Sequence, residues 1–374
     1  MLDRDVITRD EVDLRLARFR ALLEANELEA AVVVGTVEAH GPLTYLTAYA
    51  PMHQWATAIV HRSEPTVLLA GLGGARNLPY VSSLTWVSDL RYYPSVGEGA
   101  SAVLGEWGVS GGVGLVGAGE LPMGPSRALR RDLEGLRAVA LDDAYARMRR
   151  AKRPRELAAL RLAAGLRDRA LVAGRKAAGE KGVTPAAIGF AVERAARLGG
   201  ARDVRVLVYG EATGTWEAPG QGATGSGAGP CTVFLGVERC GYWAEALVRL
   251  DQHDGTATGG PEGAAAEAVV SAMAGAARPG VALSAVAEAG LGALEGAADL
   301  DDAARQAARA IGFGAAVGLG RERLVAVASG APIEAGEVLA LRCAIPAGAG
   351  VAAISRDLVV GHGGNRCLQE VSGA

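Results

Sequence analysis

The sequence predicts an α/β domain over residues 1–149 followed by an α+β domain over residues 150–374. Three observations predict it. The chain opens with an amphipathic helical stretch that runs into a short apolar strand. A basic connector, RMRRAKRPRELAALRLAAG at 147–165, divides it. Beyond the connector, helical stretches and paired apolar strands come in separate blocks, the pattern of an α+β domain. A chain of 374 residues agrees with two or three domains.

Residues 8–26 place Val12, Leu16, Phe19, Leu22 and Leu23 on one helical stripe. Thr8 followed by Glu11 has the spacing of a capping box. AAVVVG at 30–35 reads as a short buried strand, and TAIVHRSEPTVLLA at 57–70 as a hairpin. After the connector, Pro154 suits a first helical turn, and Leu157, Leu160, Ala164 and Leu171 mark one face. Thr184 and Pro185 open a second helix as N-cap and first residue. VRVLVYG at 204–210 is a strand, and CTVFLGVERCGYWAEALVRL at 231–250 is two strands around a turn. Helices over 262–277, 284–296 and 300–311 precede two final strands, EVLALRCAI and VAAISRDLVV. No short-period repeat is visible.

Composition excludes several function classes. Half of the residues are apolar, enough for a sizeable core, but only 5% are aromatic, so small-residue packing is expected. The net charge is −3 and no block of five like charges occurs, which argues against nucleic-acid or anionic-membrane partners. The polar start MLDRDVITRDEVD is no secretory signal, and no run approaches the length of a membrane span. Cys231, Cys240, Cys343 and Cys367 lack CxxC spacing and read as reduced thiols in a cytoplasmic protein. The five histidines form no HxxxH or HxH pair, which makes a His-rich metal centre improbable. GAGEL and GATGSGAG lack the strand–helix context of a phosphate loop and read as turns.

Five segments in order carry a resemblance. RAKRPRELAALRLAAGLRDRAL, FLGVERCGYWAE at 234–245, GAAVGL at 314–319, IEAGEVLALRCAIPAG and ISRDLVV at 354–360 follow one another as in a known family. Together they resemble the creatinase/aminopeptidase P/methionine aminopeptidase family, over roughly residues 150–364. The resemblance implies a pita-bread C-terminal domain preceded by a smaller, creatinase-type α/β domain. Its five metal-ligand positions fall here on Phe234, Glu245, Ala315, Arg342 and Ser355. Phenylalanine and alanine donate nothing and a guanidinium repels a cation, so no metal and no other cofactor is expected. Two positions that the resemblance assigns to catalytic histidines fall at or near Glu217 and on Glu322. Creatinase is the metal-free precedent, and its pocket is completed by the partner subunit's N-terminal domain. The corresponding stretch here is YAPMHQWA, which makes His53, Gln54 and Trp55 candidates for substrate contact in a homodimer.

The expected site therefore has Glu217, Glu322, Glu245 and Arg342 as its catalytic set, with His53, Trp55, Phe234 and Ser355 binding substrate. Carboxylates that share a pocket push each other's pKa values apart and can supply a base and an acid without metal. Each residue also has a plainer reading. Glu217 sits in a Gly/Thr/Pro loop and can be solvated, Glu245 can be a strand-edge charge, and Glu322 can pair with Arg321 or Arg323. His53 and Trp55 can be packing or surface residues. Arg342, between LAL and CAIP, requires a carboxylate partner, Glu245 or Glu322. Cys343 reads as a core thiol, since no histidine stands beside it to activate it.

The reaction this set implies is metal-independent hydrolysis of a non-peptide amide or amidine C–N bond in a small molecule. The Ala/Gly/Arg-rich composition suggests a GC-rich bacterial source. With the resemblance, it points to specialised metabolism, such as the pita-bread proteins of lincosamide antibiotic pathways that act as deacetylases on an N-acetylcysteine conjugate. The alternative is a non-catalytic pita-bread module that binds a peptide or ligand, as in a histone-chaperone subunit. Carboxylates that converge with Arg342 favour the enzyme, and scattered ones favour the module.

Overall fold

β1 (Ala30–Thr36) is buried along its whole length. Such burial suits AAVVVGT, a run of small and β-branched residues with no polar alternation. The computed structural model describes residues 3–70, 74–210, 214–221, 231–250, 260–311, 314–316, 330–347 and 350–368. They fall into two compact units, the first Met1–Arg149 and the second starting at Arg150. No described helix is long and apolar enough to cross a membrane.

In the first unit α1 (Arg9–Ala25) precedes β1. Thr8 caps it by accepting the Glu11 N–H at 3.4 Å. The Glu11 carboxylate pairs with the buried Arg15 at 2.9 Å, one turn on. α2 (Gly41–Thr47), β2 (Trp55–His61), β3 (Val67–Leu69), α3 (Leu78–Ser82), β4 (Asp89–Arg91), α4 (Val96–Glu106), β5 (Gly112–Val116), α5 (Met123–Asp132), β6 (Arg137–Ala140) and α6 (Asp142–Arg150) follow. The strands form one sheet in the order β4-β3-β2-β1-β5-β6. β2 and β3 are the expected hairpin, antiparallel with Thr57 opposite Leu69. Val96, Ala100, Val103 and Leu104 of α4 and Leu129 of α5 pack on Val32, Ile59, Val67 and Leu115 of the sheet. Elsewhere α1, α2 and α6 meet where Tyr145 stacks edge-on against Phe19 and Tyr45.

The second unit runs through a series of helices followed by strands, and then does so again. α7 (Pro154–Ala178), α8 (Pro185–Leu198), β7 (Asp203–Gly210), β8 (Thr215–Glu217), β9 (Cys231–Arg239) and β10 (Tyr242–Leu250) make the first series. α9 (Pro261–Ala276), α10 (Leu283–Glu295), α11 (Asp302–Ile311), β11 (Gly314–Ala316), β12 (Val338–Ala347), β13 (Gly350–Val359) and β14 (Arg366–Cys367) make the second. Pro154 and Pro185 both stand in the first helical turn, where a missing N–H is harmless. Thr184 accepts the Ala187 N–H at 3.2 Å as N-cap. Each series gives a four-stranded sheet, β10-β9-β7-β8 and β11-β12-β13-β14.

Both sheets bury one face under their own helices. Val204, Val206, Val208, Val233, Leu235 and Val237 lie under α7 and α8. Leu339, Leu341, Cys343 and Ile345 lie under α9 and α10. Gly174 lets α7 come close, since a Cβ there would stand 2.5 Å from Val192 and 2.7 Å from Leu250. β9 turns into β10 through Cys240 and Gly241, both at positive φ, with Arg239 paired to Tyr242. Positive φ at both central residues is the geometry of a tight two-residue hairpin. The two sheets meet through their other faces, where Leu247 packs with Ala344, Val351 and Ala353.

Candidate active site

The functional candidates lie where the two sheets face each other. Val233 and Leu235 point to the helices, so by alternation Phe234 points the other way. Its cross-strand partner is Leu247, and Glu245 stands opposite Gly236 on that same face. On the second sheet Leu341 and Cys343 point to the helices, which turns Arg342 towards the first sheet. Arg342 is paired in register with Ser355. The eleven-residue hairpin spacing thus brings Phe234 and Glu245 to the face that Arg342 and Ser355 approach from β12 and β13.

The contacts are direct. Arg342 Nη1 donates to Glu245 Oε2 at 2.9 Å. The Arg342 guanidinium carbon stands 5.7 Å from the centre of the Phe234 ring, within cation–π range. Ser355 Oγ accepts the Leu247 N–H at 3.0 Å and keeps its own proton to donate. Tyr209 and Trp216 pack beside Phe234, with ring centres 5.5 Å apart at 64°. Arg342 and Glu245 are 18% and 28% exposed, so solvent and a small ligand can reach the pair. Among the described residues the second carboxylate oxygen of Glu245 and the remaining N–H groups of Arg342 have no partner.

Behind this pair lies a second one, which sequence reasoning missed. Arg167 of α7 donates to the carbonyl of Glu245 at 2.9 Å and makes a very short contact to Asp357 of β13. Both side chains are buried. Burial pushes the Asp357 carboxyl above its usual range, Arg167 opposes that push, and the negative charges of Asp168 and Glu245 add to it. Three carboxylates, Glu245, Asp357 and Asp168, therefore share this region with two arginines, and Asp168 holds Arg167 at 2.8 Å from its other side. The signal was present in the sequence. Arg167 falls on the stripe of Leu160, Ala164 and Leu171, and Asp357 stands two residues after Ser355 on the same strand face.

The other expected residues are placed differently. Glu217 stands opposite Val208 in the ladder. Val208 belongs to the core under the helices, so Glu217 lies on the helix side, away from Tyr209, Trp216 and Phe234. Its Oε1 accepts from Thr215 Oγ1 at 3.2 Å. The structure does not bring Glu217 to Glu245. Glu322 lies outside the described residues. Ala315 is in β11, opposite Leu341. In the first unit His53 is exposed, in a bend just before β2, and Trp55 is half-buried. Gln54, between them, has φ +36°. Cys343 is buried and its thiol is pushed up to about 12 by desolvation, which makes it a poor nucleophile.

No family model matches the chain, and no curated protein matches its sequence. Solved structures match it in fold. The prolidase from Pyrococcus horikoshii is 12% identical with a TM-score of 0.75, covering 96% of this chain and 98% of that one. The X-Pro aminopeptidase from Thermotoga maritima is 13% identical with a TM-score of 0.76, over 96% and 98% of the two chains. The dipeptidase PepE from Mycobacterium ulcerans is 18% identical with a TM-score of 0.73, over 97% of each. At these identities the likeness is one of fold.

Proposed function

For a chain with the pita-bread fold of the creatinase/aminopeptidase P type, centred on the Glu245–Arg342 pair, we propose hydrolysis of a C–N bond in a small molecule without a metal ion. The observation that carries the reading is that ion pair, 2.9 Å long, at two of the positions that the resemblance assigns to metal ligands. The donors there do not fit a dinuclear centre. Arg342 holds one Glu245 oxygen and repels a cation, and Phe234 offers only a ring. Among the described residues no group of three or more His, Cys, Asp or Glu is arranged around a common point. That the structural relatives are named as a prolidase, an aminopeptidase and a dipeptidase supports a hydrolase.

The chemistry follows from the pair. The unpaired Glu245 oxygen takes a proton from a water molecule as the water oxygen attacks the acyl carbon. The remaining Arg342 N–H groups and the Ser355 hydroxyl donate to the oxyanion that develops. Glu245 then returns its proton to the leaving nitrogen as the C–N bond breaks. Phe234, Tyr209 and Trp216 give the substrate an apolar wall. Glu322 keeps its expected role as a further proton-transfer group. The substrate class is a non-peptide amide or amidine, of which an N-acetylcysteine conjugate in antibiotic assembly is the instance the resemblance implies. The same reading takes the chain as a cytoplasmic homodimer, with His53 and Trp55 offered to the other copy's site. Its four cysteines, which lack CxxC spacing, agree with a reducing compartment.

The test is a mass-spectrometric screen of N-acyl small molecules and Xaa-Pro dipeptides, with and without a strong chelator. Chelator-resistant turnover of an N-acyl compound that vanishes in Glu245→Gln supports the reading. Chelator-sensitive cleavage of dipeptides, with one or two metal ions per chain, would overturn it. A second reading, a non-catalytic ligand-binding module, is favoured by the placement of Glu217 away from Glu245. It predicts a ligand that Glu245→Gln loses without any turnover by the wild-type chain.

A further inference from the structure

β10 is an edge strand of its sheet, so the main-chain groups on its outer side have no strand to bond. Such groups still need partners. Two of them, the Glu245 carbonyl and the Leu247 N–H, belong to residues two apart and so point the same way. Side chains take both. Ser355 Oγ accepts the Leu247 N–H at 3.0 Å, and Arg167 Nη1 donates to the Glu245 carbonyl at 2.9 Å. The same nitrogen has a second proton to give, and it also contacts Asp357, two residues beyond Ser355 on the same face of β13. Arg167 Nε and Nη2 stand 2.9 and 2.8 Å from Asp168 Oδ1, so the guanidinium is held from α7 as well.

Glu245 is thereby fixed at two points. Arg342 holds its carboxylate through Oε2 at 2.9 Å, and Arg167 holds its main chain. Two anchors at the two ends of one side chain leave the other carboxylate oxygen a narrow range of positions. That range matters, since a displacement of about 1 Å can cost on the order of 10²-fold in rate. Arg167 itself is buried, so it acts through Glu245 and not on a substrate. It also stands between carboxylates that repel, since the Glu245 charge adds to the push that raises the Asp357 carboxyl.

We propose that Arg167 is a positioning residue for the hydrolysis: its bond to the Glu245 carbonyl aims the second Glu245 oxygen at the attacking water. The role rests on the reading of Glu245 as the base. It places the loss on removing Arg167 in kcat and not in substrate binding. Were Arg167 only a counter-charge for Asp357, kcat would stay at the wild-type value in any variant that keeps the fold.

Three variants of the full chain separate the tie from the charge. Arg167→Met with Asp357→Leu removes the tie and both charges. Arg167→Lys keeps a charge for Asp357, but one ammonium on a shorter reach cannot hold Asp168, Asp357 and the Glu245 carbonyl together. Asp357→Asn leaves Arg167 on Asp168 and on that carbonyl. Melting curves show which variants fold, and either Arg167 variant suffices beside Asp357→Asn. Turnover is read with S-benzyl-N-acetylcysteine and the N-acyl compounds of the screen. Both Arg167 variants should lose about 10- to 100-fold in kcat at unchanged KM, while Asp357→Asn keeps most of it. In a Glu245→Gln background the Arg167 substitutions should take away nothing further, because they act through Glu245. Amide exchange at Leu247, read without substrate, should be about tenfold faster in the Arg167 variants as the edge of β10 loosens. Wild-type kcat in a folded Arg167 variant, an equal loss in Asp357→Asn, a full further loss on Glu245→Gln or unchanged exchange at Leu247 each overturns the role. A wild-type chain that hydrolyses none of the compounds sinks the proposed function and this role with it. Hydrolysis that Glu245→Gln abolishes and the Arg167 variants retain sinks this role alone.

Discussion

Arg342 Nη1 donates to Glu245 Oε2 across the gap between two sheets, a 2.9 Å bond between residues 97 apart in the chain. Both groups are partly exposed, so the pair is weaker than a fully buried one. Arg342→Ala should lower stability by about 1–2 kcal/mol, below the ~3–5 kcal/mol of a buried pair. Glu245→Gln keeps the shape and an acceptor, so its melting curve should stay close to wild type while kcat falls by about 10²–10⁴. Melting curves beside turnover of the screened substrate check both. If Glu245→Gln turns over at the wild-type rate, Glu245 is not the base.

The Arg167–Asp357 pair behaves differently because both partners are buried. Arg167→Ala should cost about 3–5 kcal/mol, since it leaves the Asp357 charge buried alone, and Asp357→Leu should cost less, since Arg167 keeps Asp168 at 2.8 Å. Arg167→Met combined with Asp357→Leu should cost clearly less than the two losses added, because neither charge remains. Guanidinium denaturation of the three variants measures the difference. Additive losses would mean that the two residues do not act as a pair.

Glu238 ties stability to pH. It is fully buried, accepting from Gly241 N–H at 2.5 Å and facing Arg202 at 3.5 Å. Desolvation raises its pKa above the usual 4.5, against the pull of Arg202 and Gly241. The folded state therefore holds a proton more tightly than the unfolded state. The stability this contributes is complete below the unfolded value and is lost as pH rises through the folded one. Glu238→Gln removes the dependence. Its melting temperature relative to wild type should rise by a few degrees between about pH 5 and pH 8. A difference that stays constant across that range would show that the carboxyl is not perturbed in the fold.

The thiols should separate by burial. Cys231 and Cys343 are buried, while Cys240 and Cys367 are half-buried. Brief iodoacetamide treatment of the native chain, followed by peptide mass spectrometry, should label Cys240 and Cys367 and spare the other pair. Early labelling of Cys343 would contradict its burial under α9 and α10.

Sedimentation tests the homodimer. A dimer at micromolar concentration that His53→Ala leaves intact, but with an altered KM, fits a residue offered to the partner's site. A clean monomer at that concentration removes His53 and Trp55 from the substrate-binding set.

Much of this protein was legible in the order of its residues, wherever the deciding physics is local. Thr8, Thr184, Pro154 and Pro185 announce helix starts because each acts on backbone groups within one turn. TAIVHRSEPTVLLA announces a hairpin because two apolar runs flank a polar turn. The spacing from Phe234 to Glu245 places both on one sheet face once the tight turn at Cys240 and Gly241 is allowed for. Arginine within an apolar strand required a carboxylate partner, and Glu245, one of the two proposed, is bonded to it.

Other decisions belong to the tertiary structure. Glu217 can join the site only if β8 shows the right face, and a strand three residues long has no pattern of its own to set that face. Its register against β7 decided it, and a shift of one residue would have reversed the outcome. Arg167 and Asp357 are 190 residues apart, each a charge in a segment whose neighbours read plausibly without the other. Thr57 reads as an ordinary strand residue until the packing of α4 buries its hydroxyl with no partner among the described residues. A sequence determines which backbone and neighbouring groups can satisfy one another within a few residues. Which charge or hydroxyl becomes buried, and against what, depends on surfaces brought together from distant segments, because the cost of desolvation exists only once those surfaces have closed.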